Sequence, residues 1–166
     1  MDVADLLPEL GTKANELEFR AAAEGISIAK TSGARGYGYQ AVLYETWRRN
    51  PGVARTKYGV VAQPAPVGLS RHHPFYNGKA AAFDAGITNA KDRADKNAKQ
   101  QRVIDLAREI GLRCGADWGD PVHFELSSID GKPLDPFAQY KLLADKLDRI
   151  AGNFVTSTPA LPGGAG

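Results

Sequence analysis

All three histidines of the chain fall in two short, widely separated segments: SRHHPFYNGKAAAFDAG, with His72, His73 and Asp84, and WGDPVHFEL, with Asp120 and His123. Imidazole and carboxylate groups are zinc ligands, and a zinc ion that does chemistry takes three protein ligands and keeps a fourth position for water or substrate. One histidine of the first segment, Asp84 and His123 make up such a set. A chain that uses them together must fold so that the two segments converge, which constrains its architecture more than any other feature. Asp120, three residues before His123, is placed to take a proton from water at the metal. The pattern reads as a hydrolytic centre.

Such a site needs a core to hold it. With 166 residues, 43% hydrophobic and 24% charged, the chain suits one compact domain and has no room for a second. The net charge of +2, from 21 basic and 19 acidic residues, gives little reason to expect a nucleic-acid partner and would merely help approach to an anionic polymer. The single cysteine, Cys114, excludes an internal disulfide and is expected to be a quiet thiol. The start MDVADLLPEL is acidic and interrupted by Pro8, unlike a secretory signal. Synthesis in the cytoplasm without a signal peptide is therefore expected, and no stretch is long and apolar enough for membrane insertion.

Periodicity predicts helices mixed with short strands. Leu10, Ala14, Leu17 and Ala21 follow helical spacing, Gly25 ends that helix, and residues 26–29 are β-prone. Gln40, Leu43, Tyr44 and Trp47 share one face of a short second helix, which Asn50, Pro51 and Gly52 stop. Residues 53–79 read as a long irregular region, with a possible strand near Val60 and Val61; a loop of this length is more often functional than decorative, and here it delivers the first metal segment. In AAAFDAGI, alternation sends Phe83 and Ala85 one way and Ala82, Asp84 and Gly86 the other, so Asp84 leaves the core face. The polar residues 88–101 merge into a helix whose Val103, Leu106, Ala107 and Ile110 form an apolar stripe ended by Gly111. In VHFEL, Val122, Phe124 and Leu126 face one side, and His123 with Glu125 the other. Asp135 and Pro136 suit the start of a last helix carrying Tyr140, Leu143, Leu147 and Ile150. The tail from Thr156, rich in Pro, Gly and Ala, is expected to be mobile. The expected fold is α+β, a small antiparallel sheet flanked by helices with a zinc cleft on the sheet, in a catalytic domain of residues 1–155 followed by a flexible tail, 156–166.

Each feature also has a plainer reading. A histidine beside an aspartate is usually a hydrogen-bonded pair, Asp120 suits a turn before Pro121, and a single arginine such as Arg35 is often a surface ion-pair partner. Trp118 and Phe124 read as packing residues, with the cleft wall and contact with substrate as the alternative for Trp118. Glu125 is expected to orient a ligand or pair locally rather than serve as the base. Gly36, Gly38 and Ala41 match the loose form of a dinucleotide fingerprint. That fold, however, returns to a second parallel strand ending in an acid about 20 residues later, and here no acid follows residues 60–62 until Asp84.

Taken together and in order, the segments resemble the zinc peptidoglycan peptidases that include D-alanyl-D-alanine carboxypeptidases of the VanY type and the L-alanyl-D-glutamate endopeptidases of phage endolysins. That family's pattern has a serine, one spacer and a histidine, then alanine, one spacer and aspartate, and later an acid, two spacers and histidine. Here these are Ser70 and His72, Ala82 and Asp84, and Asp120 and His123, while an upstream segment matches as Ser32, Gly33, Ala34, Arg35, Gln40, Leu43 and Tyr44. The resemblance covers roughly residues 5–150. One departure is the insertion HPFYN, which widens the usual histidine-to-aspartate spacing and leaves His73 as an alternative ligand; the serine, spacer, histidine order favours His72.

The resemblance implies a hedgehog/D-Ala-D-Ala peptidase-like fold holding one Zn2+ on His72, Asp84 and His123, with Asp120 as catalytic base. Arg35 would act at the substrate carbonyl or carboxylate, and Ser70 would support substrate binding. The implied activity is zinc-dependent hydrolysis of stem peptides in bacterial peptidoglycan by a monomer that reaches the cell wall after release. An L-alanyl-D-glutamate endopeptidase of a phage or prophage endolysin comes first, and a D-alanyl-D-alanine carboxypeptidase second. A noncatalytic module of the same fold that binds zinc or wall peptide is the competing class, against which the intact Asp120 argues.

Overall fold

In the computed structural model of the protein, the helical spacing of Leu10, Ala14, Leu17 and Ala21 becomes α1, Pro8–Ala23, and these four side chains are fully buried. Pro8 sits at the helix start, where a missing N–H costs nothing. Gly25, at φ 73°, turns the chain toward β1, Ile28–Ser32, which begins two residues later than residues 26–29 suggest. The structure describes residues 3–66, 70–74, 78–129 and 132–133. They belong to one compact unit, residues 1–134. The expected helix from Asp135, the boundary at 155 and the tail from Thr156 lie outside the described residues.

After β1 the chain forms α2, Tyr37–Arg49, with Gln40 and Leu43 buried and Tyr44 and Trp47 half-buried. The irregular region expected from residue 53 is in part helical: α3 spans Pro51–Tyr58. Asn50 and Pro51 do end α2, but they also start α3. The Asn50 side chain accepts the Val53 N–H at 3.1 Å, and Pro51 occupies a first-turn position. Val60 and Val61 form no strand. Gly59, at φ 66°, closes α3, and the Val60 N–H reaches back to the Ala54 carbonyl at 3.4 Å.

β2, Ala82–Ile87, leads to α4, Arg93–Glu109, so much of the polar stretch 88–101 is the solvated first half of a helix, capped by the Asp92 side chain on the Asp95 N–H at 2.8 Å. β3, Leu112–Cys114, and β4, His123–Leu126, complete a four-stranded antiparallel sheet in the order β1-β2-β4-β3. A short pair, β5 (Ser128–Ile129) and β6 (Lys132–Pro133), follows. The core lies between one sheet face and α1 and α4: Phe83, Ala85, Ile87, Phe124 and Leu126 meet Leu10, Leu17, Val103 and Leu106. Phe83 and Phe124, paired across β2 and β4, stack with ring centroids 5.5 Å apart, worth about 1 kcal/mol beyond the area they bury. Because β1 pairs antiparallel with β2, the glycines after β1 do not open the parallel unit that a dinucleotide site requires. No helix among the described residues is long and apolar enough to cross a membrane.

Candidate metal centre

Strand alternation that buries Phe83 and Phe124 must send their neighbours to the opposite face. There the register sets Asp84 directly across from His123, and Ser32 across from Asp84 on the other side. Three adjacent strands thus contribute one row of polar side chains. The third donor arrives on the loop before β2. The Ser70 hydroxyl accepts the His72 N–H at 3.3 Å, and the Ser70 carbonyl accepts the His73 N–H at 3.1 Å, which tightens the turn. The loop is tied to the segment after β1 by the Arg35 N–H on the His72 carbonyl at 2.7 Å.

His72 Nε2, His123 Nδ1 and Asp84 Oδ1 form a near-equilateral triangle, with separations of 3.1 Å between the two nitrogens, 3.2 Å from His72 to Asp84 and 3.3 Å from His123 to Asp84. Ligands about 2.0–2.1 Å from a tetrahedral zinc stand ~3.3–3.4 Å from one another, so the triangle has the size of one face of that tetrahedron. The outer nitrogens fix the tautomers. His72 Nδ1 lies 2.8 Å from the Gly33 carbonyl, which only accepts, so it carries the proton and leaves a lone pair on Nε2. His123 Nε2 donates to Glu125 Oε2 at 3.0 Å, leaving a lone pair on Nδ1. With both rings neutral, two nitrogen lone pairs and a carboxylate oxygen converge, a donor set that fits a divalent cation once His123 has given up its Nδ1 proton.

The second histidine of the pair is directed elsewhere. His73 is fully buried, its Nδ1 bonds the Arg35 carbonyl at 3.1 Å, and its ring lies against Tyr37 with centroids 4.6 Å apart. The group of donors close enough to share an ion, among the described residues, contains His72 and not His73.

Arg35 is committed first to the site itself. Its Nη2 donates to Asp84 Oδ2 at 2.5 Å and to Ser32 Oγ at 2.9 Å, its Nε to Ser32 Oγ at 3.0 Å, and its Nη1 to Gln40 Oε1 at 3.3 Å. Holding Oδ2 leaves Oδ1 to the two imidazoles. Gln40, fully buried, also donates to the Ala65 carbonyl at 2.6 Å, so α2 braces both the arginine and the loop behind it. Burial alone would raise the Asp84 pKa, but His72, His123 and Arg35 outweigh it and hold the carboxyl well below the ordinary range. Burial lowers His72, outweighing its attraction to Asp84. Burial also opposes the charged form of His123, yet Asp84 and Glu125 prevail, and without a cation its pKa is pushed up to about 9.

Glu125 extends the chain of contacts. Arg113, opposite it across β3 and β4, forms an ion pair with Glu125 Oε1 at 3.1 Å. The Arg113 guanidinium lies 5.2 Å from the Trp118 ring, whose centroid is 5.8 Å from that of His123. Trp118 is 47% exposed, which corrects its reading as a packing residue: it stands on the cleft wall beside His123. Phe124 is packing, as its alternation requires. Asp120 reaches the site through a turn in which its N–H bonds the Gly115 carbonyl at 2.8 Å and its own carbonyl accepts the His123 N–H at 3.1 Å. A Cβ on Gly115 would fall 2.3 Å from the Asp120 carbonyl oxygen and 2.7 Å from the His123 Cβ, so only glycine permits this approach. Asp120 Oδ1 is buried without a hydrogen-bond partner among the described residues, and its pKa is raised, by burial first and by the Asp84 charge second. Cys114 is buried, its thiol pushed up to about 11 by burial, as a quiet thiol should be.

No protein-family model matches the chain, and no curated protein matches it by sequence. Solved structures do. The chain is similar to DacB from Streptococcus pneumoniae, at 22% identity and a TM-score of 0.52 over 89% of this chain and 77% of that one. It is similar to a variant of the vancomycin-resistance D,D-pentapeptidase VanY in complex with Zn(II), at 16% identity and a TM-score of 0.52 over 82% and 78%. The LdcB LD-carboxypeptidase aligns at 20% identity and a TM-score of 0.49 over 85% of this chain, which spans 64% of LdcB's length. With four α-helices and a four-stranded antiparallel sheet among the described residues, and its likeness to VanY and DacB, the chain has the VanY-type, D-Ala-D-Ala peptidase-like fold.

Proposed function

We propose that this protein is a zinc-dependent peptidase of bacterial peptidoglycan that holds one ion on His72, Asp84 and His123 and cleaves stem peptides. The observation that carries the reading is the donor triangle of 3.1, 3.2 and 3.3 Å with both imidazole protons directed away from it. The VanY neighbour was solved with Zn(II), which supports zinc as the metal. Bound there, zinc would polarise a peptide carbonyl and lower the pKa of water to about 7.

The chain's own residues supply the rest. Asp120, with its buried and unbonded Oδ1, accepts the proton of the attacking water and passes it to the departing amine. Arg35 fixes Asp84 and keeps one Nη1 proton beyond the four hydrogen bonds it donates, enough to meet a substrate oxygen. Ser70 shapes the His72 turn and Trp118 forms the wall beside His123. The bond between L-alanine and D-glutamate is the first assignment, in the setting of a phage or prophage endolysin, and the terminal D-alanyl-D-alanine bond the second.

The test is digestion of purified muropeptides by the full chain, with metal content measured on the same sample and products identified by mass spectrometry. The proposal expects zinc in the protein, new products whose masses name the bond cut, and loss of both on chelation. Intact muropeptides in the presence of bound zinc would refute it in favour of a noncatalytic binding module.

A further inference from the structure

The buried stripe of α4 runs through Val103, Ile104, Leu106 and Ala107. Helical spacing carries it one turn back to Gln100, three and four residues before Val103 and Ile104, and there the buried residue is polar: Gln100 is 8% exposed. A leucine or methionine would fill this place with no polar atom to desolvate. The glutamine brings two, and they fare differently. Nε2 donates to the Pro121 carbonyl at 2.8 Å, an oxygen that only accepts and so sets the orientation of the amide. Oε1 is buried without a hydrogen-bond partner among the described residues. Packing gives no reason to carry an unmatched acceptor into the core, so what separates glutamine from an apolar residue here is the bond that Nε2 makes.

Pro121 follows Asp120, the proposed base, in the turn that leads into β4. Backbone bonds tie this turn at three points: the Asp120 N–H to the Gly115 carbonyl at 2.8 Å, the Asp120 carbonyl to the His123 N–H at 3.1 Å, and the Val122 carbonyl to the Ala85 N–H at 2.9 Å. Pro121 has no N–H to contribute, and its carbonyl is held by the side chain that reaches across from α4. The Asp120 carboxyl is not tied at Oδ1, which is buried and unbonded among the described residues. The course of the backbone therefore decides where that oxygen stands. His123, by contrast, is set opposite Asp84 by the pairing of β4 with β2 and is held by Glu125.

We propose that Gln100 is a positioning residue for the reaction: by fixing the Pro121 carbonyl it keeps the Asp120 carboxylate in place beside His72, Asp84 and His123, with which Asp120 lines one cleft, and it has no part in holding the metal. This rests on the proposed function, in which Asp120 is the proton acceptor. A shift of about 1 Å in a reacting group can cost on the order of 100-fold in rate, so loss of the tie is expected in turnover and not in zinc binding or KM.

The test is a double-variant cycle on the full chain loaded with zinc, with muropeptides as substrate: wild type, Gln100→Met, Asp120→Asn and the two together. Gln100→Met keeps the length of the side chain and removes its donor. It should stay folded by circular dichroism, bind zinc as wild type does, and lose about 10- to 100-fold in kcat with KM within about twofold. In the Asp120→Asn background the same substitution should change the residual rate by less than about twofold, because a residue that acts through Asp120 has nothing left to place. A merely structural role gives the same loss in both backgrounds. Gln100→Asn, an amide one methylene shorter, should behave as Gln100→Met does and takes its place in the cycle if the methionine variant fails to fold. Full activity in a folded Gln100 variant, an equal loss in both backgrounds, or loss of zinc together with activity would overturn the positioning role and leave the peptidase reading intact. Wild type that leaves muropeptides whole, or Asp120→Asn as active as wild type, would remove the proposed base, and this inference with it.

Discussion

Replacing Glu125 by alanine probes how a side chain outside the donor triangle holds His123, one of the proposed ligands, in place. The Glu125 side chain is 6% exposed; one oxygen accepts His123 Nε2–H at 3.0 Å and the other lies 3.1 Å from the Arg113 guanidinium in an ion pair. Its removal leaves a buried imidazole N–H without an acceptor and no longer fixes the tautomer that turns the Nδ1 lone pair toward Asp84 and His72. Loss of such an orienting partner costs about 10- to 100-fold in metal affinity, or ~1.4–2.8 kcal/mol. Arg113 does not touch His123 and pairs with Glu125 from a side chain that is 49% exposed, so Arg113→Ala should cost at most about fivefold, the scale of a solvent-screened ion pair. Glu125→Gln keeps an acceptor oxygen without the charge and should fall between the two. The assay is competition for zinc against a chromophoric chelator at fixed pH, with circular dichroism to check that each variant is folded. A folded Glu125→Ala that holds zinc as tightly as wild type would refute the argument that this carboxylate orients His123.

Asp120→Asn should keep zinc and lose at least about 100-fold in muropeptide hydrolysis, the lower end of what a positioned proton acceptor contributes; metal analysis and steady-state rates on one preparation check both halves. His73→Ala should leave zinc stoichiometry at wild type yet lower the melting temperature, because its buried ring packs on Tyr37 and bonds the Arg35 carbonyl. Gly115→Ala forces its methyl group against the Asp120 carbonyl and should destabilise the fold by about 1–3 kcal/mol in denaturant titration, the cost of overpacking. Zinc affinity should rise with pH: in the metal-free protein His123 is pushed up to about 9, so below that a cation must displace its proton. The same shift stabilises the metal-free fold fully below about 6.5, and that contribution is lost as pH rises through about 9. Affinity measured between pH 6 and 8.5 that stays flat would contradict this.

Much of the centre was legible because it lies on strands. Period-two alternation in AAAFDAGI and VHFEL separates Phe83 and Phe124 from Asp84 and His123 without knowledge of pairing, and the apolar spacing of α1 and the second half of α4 is equally plain. Register was not legible: that Asp84 faces His123 and Arg113 faces Glu125 depends on which strands meet and where. β3 is too short to show alternation. α3 stayed hidden because Asn50 and Pro51 carry two meanings, a stop for one helix and a cap and first turn for the next. The double histidine was ambiguous in composition, and the fold separates the pair by bonding one ring to the Gly33 carbonyl and the other to the Arg35 carbonyl. Trp118 ends the 3-10 turn Gly115–Trp118, whose close approach to Asp120 needs the glycine, and neither the turn nor the approach leaves a periodic pattern in the sequence.

The most direct test is a zinc titration of the metal-free full chain beside its His72→Ala, His123→Ala and His73→Ala variants. One tightly held zinc per chain, lost in the first two variants and retained in the third, is the predicted result. Wild type that takes up no zinc, or His72→Ala and His123→Ala variants that bind it as wild type does, would contradict the account at its root.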